Sequence, residues 1–269
     1  MLHERILRKI YKASLFFLMM KECFIDVHCH LDMCENIKKI IENSRENNVG
    51  IIITQGVSFE SNRKVLELAE KYPEVKAALG IYPIDALALK DDEINDEIDF
   101  IRKNKDKIAA IGEVGLDFKE GQDFQRQKEI FKKFVKLSIS LNIPIIVHSR
   151  KAEEECIRIL EELKAKKVVM HCFSGKFKLV EQIAENEWFL SIPGNVKHSQ
   201  QFQNIAEKIN IKNLLCETDS PYLHPEKKWL NEPANVIESY KKIAELKSLN
   251  LKEVKAKICG NYLALFGGK

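Results

Sequence analysis

The sequence contains no run of about 18 apolar residues, which excludes a bilayer-spanning helix. It also lacks low-complexity tracts, and its 45% hydrophobic and 31% charged content is ordinary for a soluble globular protein. Its cysteines are seven, an odd number, at positions 23, 29, 34, 156, 172, 216 and 259, without a C-x-x-C pair or the dense spacing of a disulfide-stapled secreted domain. A reducing, cytoplasmic compartment is therefore expected, with no membrane partner and no obligate protein partner evident. A broad basic excess is missing too. Arg5, Arg8, Lys9 and Lys12 against Glu4 account for the whole formal charge of +3, so residues 20–269 are neutral. Proteins that grip duplex nucleic acid by wide phosphate neutralisation need such an excess, so any phosphate-bearing substrate here must be held locally.

Residues 1–19 run from a basic stretch (MLHERILRKIYK) into a short apolar one (ASLFFLMM), loosely like a signal peptide. The apolar part is short for that role, and no small-residue cleavage site precedes the strand expected from about Cys23. The segment is expected to be an extension outside the domain, either an extra helix or a start placed ahead of Met20. Residues 20–269 are expected to form one domain.

From Cys23 onward, short β-branched runs alternate with longer amphipathic ones, the pattern of repeated βα units around a parallel sheet buried on both faces. Strands are predicted over 23–28, 50–55, 75–81, 108–113, 143–148, 167–171, 188–192 and 214–217. Helices are predicted over 35–47, 59–71, 95–104, 123–141, 152–165 and 178–186, with two more between 232 and 266. Eight such units argue for an α/β fold of the (β/α)8 TIM-barrel type with extra C-terminal helices. A doubly wound open sheet needs a Gly-rich phosphate turn after the first strand, where this chain has HCHLDMCEN.

In a TIM barrel the chemistry sits at the C-terminal ends of the strands, so the polar residues there are the candidates. The first strand ends in Asp26-Val27-His28-Cys29-His30, and its period of two puts Asp26, His28 and His30 on one side. Both imidazoles can reach one ion. The fourth strand ends in Glu113, the fifth in His148-Ser149-Arg150, the sixth in His171-Cys172 and the eighth in Glu217-Thr218-Asp219. Any one of these could be a satisfied core histidine, an ion-pair partner or a turn cap. Four of the seven histidines at the ends of three predicted strands point instead to a metal site, with donors suited to Zn²⁺, Mn²⁺, Fe or Ni rather than Ca²⁺.

From Met20 to Phe266 the chain resembles the TatD family of metal-dependent deoxyribonucleases, within the wider amidohydrolase-like barrels. The stretches that carry the resemblance are FIDVHCHLD, AALGIYP, IAAIGEVGLDF, IPIIVHSRKAEEE, VVMHCFSGKF, LLCETDSPYLHP, NEPANV and GNYLALF. The resemblance implies two divalent metal ions, Zn, Mg or Mn. His28, His30, Glu113 and Asp219 would bind the first; Glu113, shared, with His148 and His171 would bind the second. The chain departs from the family pattern at Tyr82, where a histidine is usual. Lys228-Trp229-Leu230 stands where Gly-Lys-Arg commonly precedes Asn-Glu-Pro, and Phe134 replaces a glutamine.

The reaction expected from this resemblance is hydrolysis of a phosphodiester by an in-line displacement in which two metals activate a water. DNA would be the substrate, single-stranded or at frayed ends, attacked from the 3′ end. Asp219 is the expected general base, and Glu217 is expected to position the incoming group or a metal ligand. Arg150 is expected to clamp phosphate, unless it forms a structural ion pair; Tyr82 could donate to a phosphate oxygen, and Asn231 and Glu232 are further candidate substrate contacts. Trp229 offers either a stacking face or packing. Phe173-Ser174-Gly175 is a loop able to approach substrate. The alternative is an amidohydrolase, esterase or aminoacyl-tRNA deacylase working with the same metals.

Overall fold

A computed structural model describes residues 22–228 and 230–267, so the N-terminal extension and Trp229 lie outside the described residues. Eight strands form one parallel sheet in the order of the chain: β1 (Phe24–Cys29), β2 (Val49–Gln55), β3 (Val75–Leu79), β4 (Ile108–Gly115), β5 (Ile145–His148), β6 (Val168–Met170), β7 (Phe189–Pro193) and β8 (Leu214–Glu217). Around them lie α1 (Ile37–Glu46), α2 (Phe59–Lys71), α3 (Asp91–Lys103), α4 (Phe124–Leu141), α5 (Glu153–Glu162), α6 (Phe177–Glu185), α7 (Gln200–Lys208), α8 (Ile237–Lys247) and α9 (Leu251–Phe266). This is a (β/α)8 barrel. Strands covered on both faces read as continuous apolar runs, and all eight residues of β4 are buried.

Capping chemistry sets several helix starts. Ser58 accepts from the Ser61 N–H ahead of α2, Asp123 from the Arg126 N–H ahead of α4, and Asn250 and Glu253 cap α9 reciprocally. Helix α3 begins four residues before the predicted start, because Asp91, Asp92 and Glu93 form a first turn that suits the positive end of the helix dipole but carries no apolar periodicity. Helix α7, capped by Ser199, is absent from the sequence expectations.

The ring closes between β1 and the segment after β8. Asp219 N–H donates to His28 O at 2.9 Å, and His30 N–H donates to Ser220 O at 2.7 Å. Behind these bonds the fully buried Asp26 carboxylate accepts from Thr218 N at 3.0 Å and Thr218 Oγ1 at 2.5 Å. From outside, Tyr240 of α8 accepts from Ile25 N–H and donates to Ile25 O, tying the C-terminal helices to β1.

Candidate metal centre

The seam between β1 and β8 builds one half of the site. His28 and His30 leave β1 on the same side, their Nε2 atoms 3.3 Å apart. Those nitrogens lie 3.5 and 3.6 Å from Asp219 Oδ1, and 3.5 and 3.3 Å from Glu113 Oε2. The other carboxylate oxygen of Glu113, two residues before the end of β4, faces the other half: Oε1 is 2.9 Å from His148 Nδ1 and 3.0 Å from His171 Nε2. Those two nitrogens are 3.3 Å apart. Gly115, two residues past Glu113, has φ 150°, and a Cβ there would lie 1.9 Å from His148 O, so only glycine lets β4 and β5 close this tightly.

Donors about 2.0–2.1 Å from a tetrahedral ion stand about 3.3–3.4 Å from each other, which the spacings of the seam half match and those of the far half approach. Buried imidazoles facing one another and a shared carboxylate fit a metal better than they fit a proton network. His28 Nδ1 and His30 Nδ1 have no hydrogen-bond partner, so the ordering of these rings comes from the atoms that converge. Electrostatics points the same way. Burial would lower the pKa of His30, but hydrogen bonds to Asp219 and Glu113 outweigh it and raise it to about 10. Burial would raise that of Glu113, but His171, His148 and His28 hold it well below the usual carboxylate range. His28, buried and beside His171, is pushed down. The cluster stores several carboxylate–imidazole charge pairs that a cation can replace.

A profile of the TatD related DNases matches residues 25–267. The chain belongs to that family. Its relatives include an uncharacterized metal-dependent hydrolase of Methanocaldococcus jannaschii, 35% identical over 90% of this chain and 96% of that one. Deoxyribonuclease TATDN3 of Homo sapiens is 32% identical over 90% of this chain and 94% of its own length. Among solved structures, the TatD homologue YJJV of Escherichia coli superposes with a TM-score of 0.86 at 25% identity, covering 93% of this chain and 99% of that one. As a TatD protein the chain is a metal-dependent hydrolase acting on ester bonds. No helix among its described residues is long and apolar enough to cross a membrane.

Around the ligand cluster of this TatD protein, one residue that the strand-end argument missed has a clear job. Asp117, fully buried, accepts from His148 Nε2 at 3.1 Å, Tyr82 Oη at 2.9 Å and the N–H groups of Lys119 and Glu120. Burial would raise its pKa, but these donors hold it well below the usual range, so it stays an acceptor. Asp117 thus takes up Nε2, and Nδ1 is the His148 atom that would be offered to a metal, with the ring proton then kept on Nε2. Tyr82 lines the cavity and gives its hydroxyl hydrogen to this network. Glu217 accepts from Cys172 N–H at 2.9 Å and from the Ser191 hydroxyl, with Oε2 3.7 Å from His171 Nδ1, so it stands behind His171 and not over the cavity.

The ligands open into a cavity of about 690 Å³, in the usual range for a small-molecule site. Among the described lining residues Arg150 is the only Lys or Arg, and its Nη1 meets Glu120 Oε1 at 3.0 Å with both side chains about half exposed. Asn231 and Glu232 do not line it. Asn231 is buried, donates to Thr218 O and Pro221 O, and so braces the loop that carries Asp219; Glu232 accepts from Asn43 on α1. Ser174 lines the cavity, while Phe173 is buried in the core.

Proposed function

We propose that this TatD protein is a deoxyribonuclease that removes nucleotides from single-stranded or frayed 3′ ends, using two divalent ions, Zn, Mg or Mn, held in the two halves joined by Glu113. The observation that carries the reading is the division of the Glu113 carboxylate, Oε2 toward His28 and His30, Oε1 toward His148 and His171. Paired divalent ions would supply Lewis acidity to activate water and offset charge on the attacking and leaving oxygens. Asp219 is the residue that takes the proton of the attacking water. Its side chain is 15% exposed, against 4% for Glu113 and 0% for Glu217, so of the three carboxylates it is the most open to the cavity, which Glu113 also lines and Glu217 does not. Glu217 orients His171. Arg150 exchanges its exposed partner Glu120 for a substrate phosphate, an exchange that costs little because an exposed pair is worth about 0–1 kcal/mol.

The architecture supports the end-directed reading. A cavity at the mouth of a packed barrel admits an unstacked terminal nucleotide more readily than one paired inside a duplex. The 3′ polarity rests on the family resemblance. With a neutral body and one basic side chain in the cavity, few counterions are released on binding. The affinity for single strands should therefore fall with salt at a log–log slope of about −1.5 to −2. The test is cleavage of end-labelled single-stranded and blunt duplex DNA with Mg²⁺, Mn²⁺ or Zn²⁺ across a salt series, beside circular single strands, carboxylic esters and cyclic amides. Rapid cutting of the circle, or a slope steeper than about −5, would replace the end-directed reading with an endonuclease of larger footprint. Turnover of ester or amide but not of DNA would overturn the bond class.

A further inference from the structure

We propose that Tyr222 and Met33 form a stacking platform for the terminal nucleobase beside the scissile phosphodiester, so that the base as well as the phosphate is recognised. The proposal deepens the DNase reading and rests on it.

Five large apolar side chains are exposed among the described residues, Met33, Phe124, Ile139, Tyr222 and Leu230. Two of these line the cavity, Met33 at 43% exposure and Tyr222 at 52%, and they touch each other, with Tyr222 Oη 3.8 Å from Met33 Sδ. Each follows a residue of the seam half by three positions, Met33 after His30 and Tyr222 after Asp219. The Tyr222 ring stands edge-on to the His30 ring, with centroids 6.3 Å apart at 71°. The backbone of both is tied down: Tyr222 N–H donates to Asp219 O at 2.8 Å, Met33 N–H to His30 O at 3.1 Å, and Asn231 holds Pro221 and Thr218 from behind. An aromatic ring left half in water next to a thioether gives up burial that a packed position would supply. A base laid on it restores that burial, and every base offers a π-face. The neighbouring walls agree. β1 and β8 lie across the ring from β4 and β5, so the apolar surface is on one side of the mouth and Arg150 is on the other. A nucleotide spanning the two meets stacking at its base and charge at its phosphate.

The experiment compares two single-stranded oligonucleotides cleaved at the same bond, one with a normal terminal nucleotide and one with a tetrahydrofuran abasic analogue there. Wild type, Tyr222→Ala and Tyr222→Phe are assayed for kcat/KM on both, with metal content measured for each protein. A 2-aminopurine terminal base reports stacking by quenching in stopped flow before turnover. Wild type should favour the base-bearing substrate about tenfold or more, as loss of one stacked base implies. Tyr222→Ala should bring the ratio to within about twofold and abolish the quench, whereas Tyr222→Phe should keep both. If Tyr222→Ala weakens both substrates alike, or leaves the ratio unchanged, the platform is wrong and the side chain merely supports the Asp219 loop. If wild type cuts neither oligonucleotide, the DNase reading itself falls; the quench then still reports whether Tyr222 stacks on a base, and its absence in wild type overturns the platform as well.

Discussion

At the seam, His28 and His30 turn Nε2 toward Asp219 and Glu113 and leave both Nδ1 atoms without partners, whereas across the mouth His148 turns Nδ1 inward and gives Nε2 to Asp117. The first half is held by main chain, through the strap bonds His28 O to Asp219 N–H and Ser220 O to His30 N–H. The second half is held at His148 by a side chain, Asp117, while His171 Nδ1, without a hydrogen-bond partner like those of the seam, has Glu217 Oε2 3.7 Å away. Carboxylate braces raise ligand basicity and fix ring orientation, so the far half can be weakened without touching a ligand. The seam half cannot be weakened that way. Its integrity is that of the barrel closure.

The largest effect should come from erasing what the halves share. Glu113→Gln keeps the shape and removes the common negative ligand, so metal content of the purified protein should fall in both halves and activity by at least about a hundredfold. Full metal content with normal turnover would end the bridging assignment. Asp117→Asn should separate the halves instead. A chelator-competition titration should show one class of site weakened by about 10- to 100-fold and the other unmoved, and a uniform shift would erase the distinction. Thr218→Ala is the corresponding lesion at the seam. It strips a buried donor from Asp26, whose pKa burial already raises well above the usual value, so stability should drop by about 1–3 kcal/mol. Calorimetry should register this as a melting point lower by roughly 2–4 °C for each kcal/mol, without selective loss of one metal class. The smallest effect belongs to the rim. Glu120→Gln frees Arg150 from an exposed pair, so KM for an oligonucleotide should fall about two- to fivefold with kcat unchanged, whereas a rise in KM would show that the pair holds Arg150 in its working position.

The convergence of the candidate ligands was legible because barrel strands put chemistry at their ends and the residues there were histidines and carboxylates. Asp26-x-His28-x-His30 could be read by parity alone, and Glu113, His148, His171 and Asp219 by position. Asp117 was not, because the predicted fourth strand stopped at Glu113 while β4 runs on to Gly115, which hid a carboxylate that lies only two residues past the true end. Extending the strand-end rule by a few residues would have found it in Gly115-Leu116-Asp117. Asn231, which does not line the cavity, and Tyr82, which does, show what spacing cannot reveal. Polar residues in a motif near the mouth read as substrate contacts, yet both are spent on internal hydrogen bonds, which depend on partners distant in sequence: Thr218 lies 13 residues from Asn231, and Asp117 lies 35 from Tyr82. Helix α7, nine residues long, was readable in principle, since its buried Phe202, Ile205 and Ala206 keep the i, i+3, i+4 spacing of a helix.

The seam has a consequence for the order of events during synthesis. Asp26 and Thr218 meet across 192 positions of chain, so the residues that begin the barrel wait for those that end it. At roughly 5–20 residues per second a ribosome needs about 10–40 s to supply that interval. Throughout it His28 and His30 are made but have no strap and no Asp219, and a chain broken off before β8 never acquires them. The hydrolytic centre thus arrives with the last strand, and an interrupted product is left without the means to act.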